Sequence, residues 1–175
     1  MQLAFRVRGK EEASQEVRSA IVSGARAGLT AVAARGQFLV QENMLRPAFG
    51  RPIVASGVLV GGIAFEMRDG PGMIGSAVVF AQPPGGEYAG YVESGTGPHF
   101  PPPSALLLWV KKKFGVGDEK QALSIAFAVA RGIARRGTLA RGMFAAAFRQ
   151  LVSEAAGILE RGIAAAIEKA GLGKR

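Results

Sequence analysis

The chain has 175 residues, of which 49% are hydrophobic and none is cysteine. This length and apolar content predict a folded protein with a substantial core rather than a disordered chain. The absence of cysteine excludes disulfides, thiolate metal sites and cysteine nucleophiles, and it suits a protein made in a reducing cytosol.

The net charge of +9 is concentrated in one stretch of the chain. Residues 101–150 carry 9 basic and 2 acidic side chains, whereas the segments on either side are close to neutral. A concentrated basic segment creates a local positive potential that a diffuse excess of charge does not. The N-terminus lacks the apolar stretch of a signal peptide, and Gly and Pro interrupt the uncharged stretches 70–86 and 94–110. We therefore expect no membrane insertion.

Hydrophobic periodicity predicts an α+β fold in a single domain, residues 1–175, with a small antiparallel sheet packed against a long N-terminal helix and C-terminal helices. The predicted elements, in chain order, are a strand at 2–8, a helix at 10–45, a β-rich middle at 52–93, a Pro-rich loop at 94–103 and a helical region at 104–172. Pro47 ends the first helix. Gly24 and Gly28 have the spacing that permits close packing of that helix against a neighbour.

Within the β-rich middle, two candidate strands at 63–68 and 73–80 flank the turn sequence Asp69-Gly70-Pro71-Gly72, which predicts a hairpin. Short ordered structure is expected at 88–93.

The helical region contains its own start and stop signals. Ser104 is a candidate cap for a helix at 105–114, and Asp118 followed by Gln121 resembles a capping box. Gly137 is expected to end the helix that Asp118 begins. A last helix at 141–170 is predicted to place the following residues inward: Phe144, Phe148, Leu151, Ala155 and Leu159, with Glu154 facing outward.

No catalytic constellation is visible in the sequence. His99 is the only histidine, and it lies between prolines with no acidic residue closer than Glu93. Neighbouring carboxylates fall at helix starts, where capping accounts for them, and no phosphate-binding glycine motif follows a strand. We expect a protein that is not an enzyme and that needs no metal or cofactor.

The basic segment has two interpretations that the sequence leaves open. Trp109 is followed by Lys111, Lys112 and Lys113, and the next helix and turn carry Arg131, Arg135, Arg136 and Arg141. These cations would attract phosphates without reading base sequence, which is the function of a basic nucleic-acid-binding protein. Alternatively they form a solvated helix face whose long side chains cover apolar surface.

Several segments together resemble a known family. The segments that carry the resemblance are Ser56-Gly57-Val58-Leu59, the stretch from Tyr88 to Thr96, His99-Phe100-Pro101-Pro102, the stretch from Ala105 to Val110 with its lysines, Ile133-Ala134-Arg135-Arg136-Gly137-Thr138, and Met143-Phe144. In this order they look like the neck or tail-completion ("tail component") family of long-tailed bacteriophages and prophages. The resemblance covers roughly residues 50–145.

The resemblance implies a structural virion protein of the head–tail junction, assembled in the host cytoplasm and located in the neck or tail. It implies a homo-oligomeric ring, with six-fold symmetry favoured and twelve-fold the alternative, between head-closure proteins and the tail-terminator or tail-tube proteins. DNA would pass through the ring without sequence-specific contact. The alternative function is basic, sequence-nonspecific nucleic-acid binding.

The loop from Glu93 to Pro103 is predicted to be an ordered docking element, because Pro98 and the following prolines restrict the chain after the flexible Gly95. The expected ion partner of Glu93 is one of Arg135, Arg136 and Arg141. The candidate assembly and docking residues are Glu93, Gly95, Thr96, Pro98, Trp109, Lys111, Lys112, Lys113, Arg131, Arg135, Arg136 and Arg141.

Overall fold

The computed structural model describes residues 2–5, 15–46, 57–70 and 74–172. Its elements are β1 (Gln2–Phe5), α1 (Gln15–Leu45), α2 (Val58–Gly61), β2 (Ile63–Arg68), β3 (Gly75–Ala81), α3 (Gly86–Ser94), α4 (Pro103–Phe114), α5 (Glu119–Arg136) and α6 (Met143–Lys169). The predicted α+β class is confirmed, with a small sheet, a long N-terminal helix and C-terminal helices. Among the helices described, none combines the length and apolar character that crossing a membrane requires.

The chain divides into two compact units, each built from separate stretches of sequence. The first consists of Met1–Asn43, Ile63–Phe80 and Phe144–Arg175, and the second of Met44–Gly62 and Ala81–Met143. The first unit therefore holds the sheet with most of α1 and α6, and the second holds α2 to α5. The expectation of a single domain stays a prediction.

The sheet of the first unit has the strand order β1-β3-β2. β1 is antiparallel to β3, in a register that pairs Gln2 with Val78 and Phe5 with Gly75. β2 and β3 are neighbours separated by only the residues 69–74, and so short a connection joins antiparallel strands. The predicted strand at 63–68 is confirmed, and that at 73–80 is found at Gly75–Ala81. Residues 6–8 of the first predicted strand and 71–73 near the predicted turn lie outside the described residues.

Two polar side chains of α1 reach β2 and the residue that follows it. The Gln37 amide donates a hydrogen bond to the Ile63 carbonyl of β2 (2.8 Å), and Arg26 forms an exposed ion pair with Asp69 (2.8 Å). Leu29, Val32 and Leu39 are fully buried on α1. The helix ends at Leu45, as the following proline predicted, whereas residues 10–14 lie outside the described part of the chain.

The close packing predicted for Gly24 and Gly28 is confirmed, and the neighbour is α6. A Cβ on Gly162 would lie 2.8 Å from the Gly24 carbonyl oxygen and from the backbone of Gly28. Gly28 also faces the backbone of Leu159. The residue pairs run in opposite directions along the two helices, so α1 and α6 are antiparallel, and their backbones approach because no side chain separates them.

An ion pair joins the same two helices about two turns beyond Gly28 along α1. Arg35 Nε and Nη2 donate to the two carboxylate oxygens of Glu154 at 2.7 and 3.1 Å, and the Gln150 amide donates a third bond (3.2 Å). The hydrogen bonds from Arg35 hold the pKa of Glu154 below its usual value. Glu154, which was predicted to face outward, keeps 32% of its side chain exposed, and the ion pair with Arg35 covers much of the rest.

The predicted inward face of α6 is confirmed at Leu151, Ala155 and Leu159 and differs in the first turns of the helix. Met143, Ala147, Leu151, Ala155 and Leu159 recur every four residues and are buried. Phe148, predicted inward, is 38% exposed, because it follows Ala147 by one residue and is therefore rotated by about 100° from the buried stripe.

The predicted β-rich middle at 52–93 contains two helices among its described residues. Val58–Gly61 forms the short helix α2, and Gly86–Ser94 forms the helix α3, while residues 52–56 lie outside the described residues. In α3 the buried Ala89 donates its N–H to the Gly85 carbonyl, and Ser94 Oγ bonds the Gly90 carbonyl (2.6 Å), which is helical i to i+4 spacing. Gly85 itself lies tightly against Leu59 of α2, so the two helices pack together.

Helices α4 and α5 form a helical hairpin in the second unit. Its core is Val110, Ala122 and Ala126, with Leu106, Leu107, Val116 and Ile125 packed around them. The predicted cap is confirmed at Asp118, whose carboxylate accepts from the Gln121 N–H (2.7 Å), and Gly137 ends α5 as predicted. Ser104 is not a cap, because α4 begins at Pro103, whose missing N–H is harmless in the first turn.

Candidate functional site

Two Gly-Thr dipeptides, 42 residues apart in sequence, meet in the second unit. Thr96 and Thr138 exchange backbone hydrogen bonds of 3.1 and 3.0 Å as an isolated antiparallel bridge, and their hydroxyl oxygens are 2.9 Å apart. This bridge joins the loop after α3 to the turn after α5. It brings together two of the segments on which the family resemblance depends.

Glycine is required on both sides of this bridge. Gly95 has φ 71° and ψ −175°, and Gly137 has φ 68° and ψ −158°, a region of backbone space that is essentially restricted to glycine. A Cβ on Gly95 would overlap the Thr138 carbonyl oxygen, and a Cβ on Gly137 would overlap that of Thr96. The two dipeptides thus use the same backbone conformation to approach each other.

The start of the loop is fixed by its main chain. The Glu93 carbonyl accepts hydrogen bonds from the N–H groups of Arg141 (3.1 Å) and Gly142 (3.0 Å). Both ends of the 93–96 segment are therefore attached to the 137–142 turn. The ion pair predicted for the Glu93 carboxylate stays a prediction.

Beside the bridge lies an open, largely apolar groove of about 1190 Å³. Helix α3 contributes Tyr88, Tyr91 and Val92 to its wall. Helix α4 contributes Leu106, Trp109, Lys113 and Phe114, and α5 contributes Val129 and Ile133. The two bridged segments complete it with residues of 96–101 and with Thr138, Leu139 and Arg141. Every lining residue belongs to the second unit.

Large apolar side chains in this groove remain exposed. Leu139 is 82% exposed, Tyr91 64% and Phe114 53%, although residues of this kind are usually covered in a folded chain. Trp109 packs edge to face against Phe114, with ring centroids 5.8 Å apart. Partial burial raises the pKa of the Tyr88 phenol above its usual value. A contiguous exposed apolar surface of this kind is typical of an interaction site.

Two charged side chains belong to the wall of the groove. Lys113 and Arg141 line it, and no carboxylate is found among the described residues of its wall. His99 lies at the same wall, where its ring Nδ1 is 3.0 Å from the Gly97 carbonyl oxygen.

The basic residues of the segment lie on different elements. Lys111, Lys112 and Lys113 occupy the last turn of α4, and Arg135 and Arg136 occupy the last turn of α5. The lysines and these arginines therefore belong to two different helices.

The structure brings together five of the predicted docking residues in the groove wall: Thr96, Pro98, Trp109, Lys113 and Arg141. Glu93 and Gly95 support the wall through the backbone. The remaining predicted residues, Lys111, Lys112, Arg131, Arg135 and Arg136, do not line it.

Sequence reasoning did not identify Tyr88, Tyr91, Phe114 and Leu139 as groove residues. One signal could have pointed to them: Gly95-Thr96 and Gly137-Thr138 are the same dipeptide, and paired glycines of this kind often allow two backbone segments to approach. Their neighbours would then have been candidates for a shared wall.

No group of three or more His, Asp or Glu side chains able to hold a metal ion is present among the described residues. Comparison with family models, with curated proteins and with solved structures found no match to this chain.

Proposed function

We propose that this chain is a structural protein of the bacteriophage neck, a tail-completion protein that joins head-closure proteins to the tail. The observation that carries the proposal is the Thr96–Thr138 bridge. It unites two segments of the family resemblance, 88–96 and 133–138, into one wall of an exposed apolar groove. The α+β fold with long N-terminal and C-terminal helices agrees with the fold that the resemblance implies.

The proposed mechanism is assembly through complementary surfaces. Identical copies form a ring by head-to-tail contacts, which close only if the rotation between neighbours fits; six-fold symmetry is favoured, with twelve-fold the alternative. The neighbours are head-closure proteins on one side and tail-terminator or tail-tube proteins on the other. DNA passes through the ring without base-specific contact. The ring is located in the neck of the virion.

Deletion of the gene from the phage or prophage genome that carries it tests this proposal. Electron micrographs should then show filled heads and finished tails that are not joined, and a plasmid copy of the gene should restore joining. A density map of the restored particle should contain the chain as a ring at the neck. Normally joined particles in the deletion strain, or a single copy located elsewhere in the particle, would rule the proposal out.

Exposed Arg131, Arg135 and Arg136 at the distal end of α5 favour a second candidate, sequence-nonspecific binding of nucleic acid. This candidate requires measurable binding of free duplex DNA, weakening steeply as salt rises. A salt titration with two unrelated duplexes of equal length separates the candidates. Equal, salt-sensitive binding of both duplexes supports nucleic-acid binding as the function. No binding at moderate salt leaves the neck protein as the remaining candidate.

A further inference from the structure

We propose that the distal half of α5 holds the phosphate backbone of a nucleic-acid duplex through Arg131, Arg135 and Arg136. This contact rests on the proposed neck function only in that the duplex is then the DNA that passes through the ring. It is smaller than the second candidate function requires, because it joins each copy of the chain to about three phosphates. Three such contacts lose about 40-fold in affinity between 50 and 200 mM salt, so a single copy holds DNA only at low salt.

The charges of the three arginines are not neutralised along α5. The three residues are exposed, and none of them forms an ion pair with a described residue. Residues 120–153 contain no Asp or Glu. Glu119 lies about 18 Å from Arg131 along the helix axis, which exceeds the screening length of about 8 Å at physiological ionic strength. All three guanidinium groups are therefore available to an anionic partner.

The arginines are concentrated within less than two turns of the helix. Arg131 and Arg135 are four residues apart, so they share a face and are separated by about 6 Å along the axis. A Cβ on Gly132 would lie 3.7 Å from Arg136 Nη2, so the Arg136 guanidinium lies back over the turn that carries Arg131. The negative end of the helix dipole accounts for Arg135 and Arg136 in the last turn, but Arg131 precedes that turn.

The composition of this face favours phosphate over an acidic protein surface. An exposed stripe follows helical spacing along α5 through Ser124, Ala128, Arg131 and Arg135. Protein interfaces have an apolar core from which charged residues are depleted, whereas this stripe consists of small residues and arginines. Arginine stays charged and donates two parallel hydrogen bonds to phosphate oxygens. The stripe therefore matches a partner whose anionic groups repeat along its length.

A duplex fits this face better than a single strand does. Sites for single strands stack successive bases on aromatic side chains. Phe127 is the single aromatic residue of α5, and at 45% exposure it lies beside the stripe. A duplex presents one phosphate about every 3.4 Å of axis on each strand, so the arginines meet neighbouring phosphates while the bases stay stacked.

The salt dependence of duplex binding tests the proposal, because it counts the phosphates that are held. Fluorescence anisotropy of a labelled duplex of about 20 base pairs, from about 20 to 200 mM salt, gives the slope of log K against log salt. Each phosphate contact contributes about 0.9 to the magnitude of that slope. Arg131→Gln should reduce the slope by about 0.9 and weaken binding about ten-fold at 50 mM salt. The triple change of Arg131, Arg135 and Arg136 to glutamine should reduce the slope by about 2.7.

Two further variants are matched controls. Lys112→Gln removes the same charge from an exposed position on α4, and its slope should stay close to that of the parent. Phe127→Ala removes the aromatic ring beside the stripe and should leave duplex binding unchanged. A second duplex of unrelated sequence should give the same values as the first. Circular dichroism checks that each variant is folded, and the single variants carry the test if the triple variant unfolds.

An unchanged slope in the triple variant, equal reductions in Lys112→Gln and Arg131→Gln, or a strong preference for one of the two duplexes would overturn the proposal. Tighter binding of oligothymidine, lost in Phe127→Ala, assigns the face to single strands instead. Tighter binding of polyglutamate, lost in the arginine variant, assigns it to an acidic polypeptide. These measurements use the purified protein, so a negative result leaves the deletion phenotype intact, and a normal deletion phenotype leaves the measured slopes intact.

Discussion

At the Thr96–Thr138 bridge, the approach of two backbone segments depends on the absence of a single carbon atom on each side. Gly95 and Gly137 have positive φ with extended ψ, and a Cβ on either would overlap a carbonyl oxygen across the bridge. A substitution there introduces backbone strain and a steric overlap at once. Gly115, the C-terminal cap of α4, has a similar φ of 66° but a left-handed helical ψ, and a Cβ there would meet no atom within 4 Å.

Comparing Gly137→Ala with Gly115→Ala separates these two effects. Gly115→Ala should lower the free energy of unfolding by about 1 kcal/mol, the cost of a left-handed conformation for a residue with a side chain. Gly137→Ala should lower it by about 3 kcal/mol or more, because the bridge must also open. Urea denaturation of both variants measures the difference. Equal losses would mean that the bridge contributes nothing beyond backbone conformation.

At the scale of elements, the pairing of α1 with α6 depends on small residues at their crossing. Gly162 faces the backbone of Gly24 and Gly28, whereas Gly157, one and a half turns earlier on α6, faces only the mobile end of Arg161. The two glycines share a helix and differ mainly in what lies opposite them.

Gly162→Ala should lower the free energy of unfolding by about 1 to 3 kcal/mol, because the two helices must move apart to accommodate the new methyl group. Gly157→Ala should raise it by about 0.5 to 1 kcal/mol, since alanine has the higher helix propensity and the space is open. Denaturant melts of the two variants should therefore move in opposite directions from the parent. A stabilising Gly162→Ala would show that the helices are not in close contact at that residue.

The elements also show which features of the fold could be read from the sequence. Asp118, Gly137 and the apolar stripe of α5 were sufficient to predict that helix, because capping and periodicity are local signals. α3 was predicted only as short ordered structure, since its glycines and tyrosines have no strong helix propensity, and the close approach of Gly85, which precedes it, to Leu59 is a tertiary contact. The inward assignment of Phe148 was wrong because periodicity gives a face only to within about one residue.

The candidate site was predictable in part for the same reason. Thr96, Pro98 and Trp109 stand in segments with unusual composition, and they line the groove. Tyr91 and Leu139 line it only because the bridge brings α3 next to the turn after α5. Such a long-range contact depends on tertiary packing, to which the repeated Gly-Thr dipeptide was the single pointer in the sequence.

At the scale of the whole molecule, the effect of the net charge of +9 depends on where the charged side chains lie. The cluster of Lys111, Lys112 and Lys113 lies in the last turn of α4, where positive charge is favourable against the helix dipole, and its last member lines the groove. The cluster of Arg131, Arg135 and Arg136 lies further along α5 and outside the groove. The two clusters have equal charge and different positions.

Two triple variants test whether position or total charge matters for assembly. Changing the three lysines to glutamine, or changing Arg131, Arg135 and Arg136 to glutamine, lowers the net charge from +9 to +6 in either case. We expect both variants to remain folded, with unfolding free energies within about 2 kcal/mol of the parent, because exposed charges and charge–dipole contacts contribute little each. The lysine variant should restore head–tail joining poorly in the deletion strain, since it removes a groove cation, whereas the arginine variant should restore it more fully.

The measurements are thermal melts of the purified variants and counts of joined particles in micrographs. Equal loss of joining would show that only total charge matters, and an unfolded lysine variant would show that the lysines serve the fold.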